Sequence, residues 1–167
     1  HARAHLLKPD ARIIPGRGKL YGQIVKAPHL SSFHSTKMVS GFDLSAMSAV
    51  SHPLSYKDVD FDFESAEGCE VVSAPFLVWD LDLKDVPFMP FKRTVEVSVS
   101  ASGEANAIIM WFDLHLAEGS VFSTRSTQPH QHWRRVAQLL THPHPVAASD
   151  IANLNIHYDR YFLFELS

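Results

Sequence analysis

Alternation of apolar and polar residues with a period of two runs through most of the chain. Thr94-Val-Glu-Val-Ser-Val-Ser100 alternates without a break and turns Val95, Val97 and Val99 to one side, as a strand with one buried face requires. Asn106 to Leu116 repeats the pattern, with Ile108, Met110, Phe112, Leu114 and Leu116 opposing Ile109, Trp111, Asp113 and His115. Ala101-Ser-Gly-Glu104 lies between these two stretches. It predicts a hairpin turn, with Gly103 free to take a positive φ. Val71 to Leu83 also alternates, with Trp79, Leu81 and Leu83 on one side and Val78, Asp80 and Asp82 on the other. Lys19 to Val25 has the β-branched and aromatic content of a strand. Val121-Phe-Ser-Thr follows a turn at Glu118-Gly119, and Ile151–His157 with Arg160–Leu166 predicts a last hairpin turned by Tyr158-Asp159. Thr141-His-Pro-His-Pro145 predicts a proline-fixed loop. Roughly eight short strands and one or two short helices make the fold class mostly β, an antiparallel β-barrel or sandwich.

Two stretches depart from that rhythm. Ala2 to Lys8 reads as the last turns of a helix closed by Pro9-Asp10, and Arg12-Ile13-Ile14 as an extended piece ending at Pro15-Gly16. An uncapped helix and an apolar strand with no neighbour in sequence predict that residues 1–14 are the tail of another domain, with the β domain over 15–167. Residues 29–56 are rich in Ser, His, Pro and Lys. Within them Gly41 to Val50 predicts a short helix capped by Asp43 or Ser45, with Phe42, Leu44, Met47 and Val50 forming an apolar stripe. The picture is a helical arm inserted after the first strand. Asp58 to Glu70, acidic and poor in apolar residues, predicts a connector.

Composition narrows the partners. The 167 residues are 46% hydrophobic and 20% charged, enough for one domain with a core. A formal net charge of -3, from 15 basic and 18 acidic residues without a basic block, disfavours nucleic acid. Cys69 is the single cysteine, so no internal disulfide or cysteine-cluster metal site forms. No apolar run approaches the length needed to span a bilayer, and no signal-peptide segment opens the chain. The expectation is a soluble intracellular protein, cytoplasmic and/or nuclear.

Candidate chemistry concentrates between Phe122 and Leu140, where His130, Gln131, His132 and Trp133 follow Pro129. Taken alone, the residues fit solvated histidines and a tryptophan that fills the core. The pairs His130/His132 and His142/His144 have the spacing of cupin-type metal ligands, yet both flank prolines and no carboxylate completes a set nearby. Cys69 sits between Glu67 and Glu70, which disfavours its thiolate. No nucleophile elbow or phosphate-binding glycine loop is present. Asp80 and Asp82 read as a solvated barrel exterior.

The stretch Gln131-His132-Trp133 resembles the threonine-histidine-tryptophan loop of the protein arginine N-methyltransferases, with Gln131 where that family usually has Thr. Ile13-Ile14-Pro15, Gly41-Phe-Asp-Leu-Ser45 and Phe122-Ser-Thr124 match further family motifs in the same order. The resemblance implies the family's C-terminal β-barrel, with Pro15 at a junction that is typically cis and residues 29–56 as a dimerisation arm. On that arm Phe42, Leu44 and Met47 would face the partner in a homodimer. It implies that His132 is catalytic, pairing with an acidic group across a domain interface, and that Gln131 and Trp133 bind the substrate arginine. It also implies S-adenosyl-L-methionine (AdoMet) as the cofactor and arginine-rich proteins, such as histones and RNA-binding proteins, as substrates. The glycine turn that binds AdoMet and the two substrate glutamates have no counterpart in the chain, so no residue here is assigned to the cofactor or to a metal. Alone the chain is expected to be inactive. Gln131 and the Trp111-Phe-Asp-Leu-His-Leu116 strand point towards the monomethylating branch. The alternatives are a cupin-like metal-binding barrel and a non-catalytic interaction module.

Overall fold

The computed structural model describes residues 6–8, 10–31, 37–48, 56–59, 68–84, 89–125, 133 and 135–167. Strand β1 (Arg17–Lys26) is the axis of the larger sheet. Along one edge it pairs antiparallel with β8 (Gly103–Ala117), from Arg17↔His115 to Val25↔Ala107. Along the other it meets β6 (Phe76–Asp82) and β5 (Glu70–Val71). Beyond β8 come β10 (Arg135–Val146) and β4 (Tyr56–Val59), and β9 (Ser120–Ser123) folds back on the end of β8. A second sheet holds β7 (Phe91–Ser98), β11 (Ile151–Asp159) and β12 (Tyr161–Leu166) in the order β12-β11-β7. After β1 the chain makes helix α1 (Pro28–Ser31), then a small hairpin of β2 (Met38–Val39) and β3 (Phe42–Asp43), then helix α2 (Ser45–Ser48). The larger sheet curls, and the protein is a mostly β, barrel-like fold.

The inner faces of the two sheets meet over a core that includes Ile24, Val78, Val97, Ile108, Leu154, Ile156 and Phe164. The unbroken alternation of β7 is borne out: Val97 and Val99 are buried and Val95 packs on them. A second cluster lies on the outside of the larger sheet. There Leu30 of α1 covers Val25, Ala107, Ile109 and Ala137, so Ala105 to Trp111 of β8 is buried on both faces. Asn106 fixes this corner. Its Oδ1 accepts from Ala27 N at 2.6 Å, and its Nδ2 donates to Ala27 O at 2.8 Å and to Ser31 Oγ at 3.1 Å. Both backbone polar groups of buried Ala27 are thereby satisfied, its carbonyl also accepting from Leu30 N at 3.0 Å.

Where the sheets face each other, side chains as well as backbone close the barrel. At one end Ser100 N donates to Val72 O and Ala74 N to Ser98 O, both at 2.9 Å. At the other end Arg93 of β7 reaches across to β6 and donates to the carbonyls of Leu77 and Val78, the latter at 2.6 Å. On the opposite seam Gln138 Nε2 donates to Phe162 O at 3.0 Å.

Several local expectations need correction. Val78 does not share a side with Asp80 and Asp82. Leu20 pairs with Trp79 and Tyr21 with Leu77, so Val78 is the extra residue of a β-bulge. The bulge slips the alternation by one, and Val78 and Trp79 both face the interior. Ala101–Glu104 is not a hairpin. β7 pairs with β11 while β8 pairs with β1 and β10, so the chain crosses between sheets there; alternation names a face, not a partner. Gly103 starts β8, and positive φ falls at Gly41, Gly68 and Gly119. Thr141–Pro145 is strand: β10 continues through it after its register jumps from Leu139↔Ala107 to His144↔Ala105. Among the described residues β4 pairs with Arg135–Gln138 and no strand lies along the far edge beyond, where the prolines' missing N–H is not called on. β4 (Tyr56–Val59) runs two residues into the stretch expected to be an acidic connector, and β5 starts at its last residue, Glu70. The short helix expected after Asp43 or Ser45 is present as α2 (Ser45–Ser48), with Phe42 ahead of it in β3; Ala49 and Val50 lie outside the described residues. Residues 11–13 form no strand. The last hairpin turns at Arg160, between paired Asp159 and Tyr161, with φ 68°.

Candidate functional site

One end of the barrel gathers the start of β1, the end of β6, the second half of β8 and the β11–β12 hairpin. Together they border an open cavity of about 510 Å³. Its walls are apolar: Leu20, Leu81, Leu83, Phe112 and Leu114 on the larger sheet face Tyr158 and Phe162 on the smaller one. Trp79 forms the floor, packed on Tyr158 at 4.6 Å, Phe91 at 5.3 Å and Phe162 at 5.8 Å between ring centres. The bulge is what aims this indole inward.

Trp133 stands at the rim. Its ring meets Phe112 edge-on at 5.7 Å and Phe122 at 5.6 Å, yet 52% of the residue is exposed. A tryptophan serving only as core filler would be covered, so the plain packing reading does not hold for it. A buried residue lies on either side of it in sequence. Thr124 is buried and ties β9 to β8: Phe112 N donates to its Oγ1 at 3.0 Å, and Thr124 N donates to Phe112 O at 2.9 Å. Arg135, where the chain rejoins the sheet, is buried too. His130, Gln131 and His132 lie outside the described residues.

The segment before β1 enters at this same end. Gly16 N donates to His115 O at 3.1 Å, and Leu83 N donates to Gly16 O at 3.0 Å. The Ile14–Pro15 peptide bond is cis, as the resemblance implies. On the outer face of the sheet nearby, Arg17 forks onto Asp80, Nε to Oδ1 at 2.6 Å with a second contact from Nη2 to Oδ2. The hydrogen bond from Arg17 holds the Asp80 carboxyl below the usual carboxylate range, and the same pair raises the Arg17 guanidinium. Asp80 is therefore an ion-pair partner on the outside of the barrel. Further along that face Trp111 stacks on Tyr21 at 5.8 Å and carries the Arg125 guanidinium at 5.0 Å.

At the arm, Met38, Val39, Phe42 and Met47 are exposed, Phe42 by 71%, while Leu44 is half-buried. Asp43 Oδ1 accepts from Ser45 N at 2.9 Å, and that bond lowers the Asp43 carboxyl. The helix N-terminus is thus served by Asp43, one of the two residues expected to cap it. At the arm's base Cys69 Sγ lies 2.9 Å from His29 Nδ1. Burial raises this thiol; its acidic neighbours in sequence are not the cause, and Glu70 bonds Lys26 at 3.3 Å. Among the described residues no three His, Cys, Asp or Glu side chains come together as a metal site.

Residues 16–161 match the family model of the arginine methyltransferase oligomerization subdomain. The chain belongs to that family. Over 167 residues it is 28% identical to an arginine N(omega)-methyltransferase of Streptomyces achromogenes subsp. streptozoticus, covering 98% of this chain and 44% of that relative. It is 27% identical over 131 residues to protein arginine N-methyltransferase 7 of Aedes aegypti, covering 72% of this chain and 19% of the relative. The chain therefore spans less than half the length of these arginine methyltransferases. In fold, it superposes on the Trypanosoma brucei PRMT1 enzyme-prozyme heterotetrameric complex with AdoHcy with a TM-score of 0.73, at 19% identity, over 93% of this chain and 50% of that one.

Sequence reasoning located the rim tryptophan but missed Arg160, Arg93 and Asn106. Arg160 was hidden by placing the turn two residues early. Arg93 and Asn106 act on backbone groups far away in sequence, and no local pattern marks such bonds.

Proposed function

We propose that this subdomain forms the second wall of an arginine-methylating active site and carries the contact that pairs two copies of the enzyme. The observation that supports this most is Trp133. It is a half-exposed indole held by two phenylalanine edges at an apolar mouth, on the end of the barrel where the preceding chain enters. A guanidinium is planar and weakly hydrated, and it stacks on aromatic faces. In this reading Trp133 closes the slot around the substrate arginine and Gln131 lies beside it. His132 pairs with an acidic group of the AdoMet-binding part of the enzyme. Phe42, Leu44 and Met47 form the apolar side of a dimerisation arm, an exposed patch of the kind that marks a protein interface.

The described residues do not fit AdoMet themselves. The charged residues at the mouth are Lys19 and Arg160, and neither cation suits a sulfonium. The cofactor then belongs to another part of the protein. The substrates are arginine side chains of proteins. A second reading, arginine itself as substrate, is favoured by the name of the Streptomyces relative.

The test is methyl transfer by the full-length protein to an arginine peptide and, separately, to arginine. Trp133→Ala and His132→Ala should each lower kcat/KM by 100-fold or more, on the order of 3 kcal/mol. Full activity in both variants overturns the active-site reading. Phe42→Glu with Met47→Glu should shift the sedimentation profile from dimer to monomer; an unchanged profile removes the arm from the interface.

A further inference from the structure

We propose that the cavity at the barrel mouth lodges a large apolar side chain of the substrate polypeptide next to the arginine being methylated, and that Arg160 receives a carboxylate beside it. This rests on the reading of Trp133 as substrate wall and specifies which polypeptides that wall admits. The cavity, about 510 Å³, is continuous with Trp133 and floored by Trp79. Its size suits a bulky side chain with part of its backbone. Among the described residues no carboxylate lines it.

Of the two cations at its edge, Lys19 stands across from Asp80 and Asp113, on the face of the sheet that carries the Arg17–Asp80 pair, so its charge is directed away from the opening. Arg160 has no ion pair among the described residues. It is also the whole of its turn, at φ 68° between paired Asp159 and Tyr161. Gly or Asn meets that geometry without strain, so the turn alone does not account for an arginine there. A further arginine of the substrate in this place would set like charges together at an apolar surface, where they are screened least. The favoured substrate therefore carries an apolar residue and an acidic one near its target arginine, in place of a run of arginines.

The experiment is a set of peptides with one target arginine in which each flanking position is in turn Gly, Phe, Glu or Arg, methylated by the full-length protein. At one flanking position Phe should lower KM on the order of tenfold against Gly. At a position next to it Glu should be favoured over Arg by a similar factor. Arg160→Glu should reverse the Glu and Arg order in KM, and Arg160→Gly, which relaxes the turn, should erase the preference without reversing it. Equal KM values across the flanks, a charge preference indifferent to Arg160→Glu, or a preference for arginine runs would overturn the proposal. Methylation without flank preference counts against this inference alone. Methylation of arginine but of no peptide removes this inference and leaves the active-site reading; methylation of neither removes both.

Discussion

Replacing Gly22 with alanine tests the packing that shapes the mouth. Gly22 lies in β1 between Phe76 of β6 and Met110 of β8. A Cβ there would fall 2.6 Å from both Cε2 and Cζ of Phe76 and 3.0 Å from Val78 Cγ2. Carbon atoms sit comfortably at roughly 3.5–4.0 Å, so the ring would have to retreat by about an ångström. It has little room to do so, because Phe76 is 8% exposed and belongs to the main core. Overpacking of this kind costs about 1–3 kcal/mol. Against it, alanine relieves the entropic penalty of a strand glycine by about 0.5–1 kcal/mol. The net expectation is a loss of about 1–2 kcal/mol, or a fall in Tm of about 3–6 °C for a chain of this size. Urea unfolding followed by tryptophan fluorescence should show a lower midpoint at an unchanged slope. Phe76→Leu should couple to it: the double variant should be more stable than the two single losses predict, by about 1 kcal/mol. A Gly22→Ala protein as stable as wild type, or additivity within about 0.5 kcal/mol, would refute the reasoning.

Arg93→Met keeps most of the apolar stem but leaves the Leu77 and Val78 carbonyls without their donor. It should cost about 1–3 kcal/mol and speed amide exchange in β7 and β6 ahead of the rest of the core. Asn106→Leu orphans Ala27 N, while Ala27 O keeps the bond from Leu30 N; it should cost about 1–3 kcal/mol, with a loss of ordered α1 signals by NMR. For Asp80, whose carboxyl lies below its ordinary value, the sign follows from linkage. Its contribution is present above the usual aspartate pKa of about 3.9 and fades as pH falls through the depressed folded value. Asp80→Asn should therefore flatten the acid limb of the stability curve. Arg17 and Asp80 are solvent-accessible, so the difference should shrink in high salt.

The fold class was legible because a period of two is a local property: β7 and β8 announce themselves in every residue. What could not be read was which strands meet. The Val95 and Ile108 faces are equally apolar, and nothing in either stretch says that one pairs with β11 and the other with β1. The bulge was invisible for a related reason. Val78-Trp79-Asp80-Leu81 alternates acceptably in two registers, and only pairing with Leu20 and Tyr21 decides between them. At the site, Trp133 was accessible through the motif around it. Arg160 was not, since its importance comes from a backbone turn and from a cavity assembled by four distant segments.

The bulge also bears on how this barrel tolerates changes in length. Val78 is the residue with no partner opposite, so removing it would leave Trp79 across from Leu20 and Leu77 across from Tyr21. Trp79 and Leu81 would keep facing the opening, and the loss would be one buried valine. Removing Leu81 instead would bring Asp82 opposite Gly18 and turn a carboxylate into the opening beneath Trp133. One residue is expendable to the pairing; another, three places on, decides the polarity of the entrance.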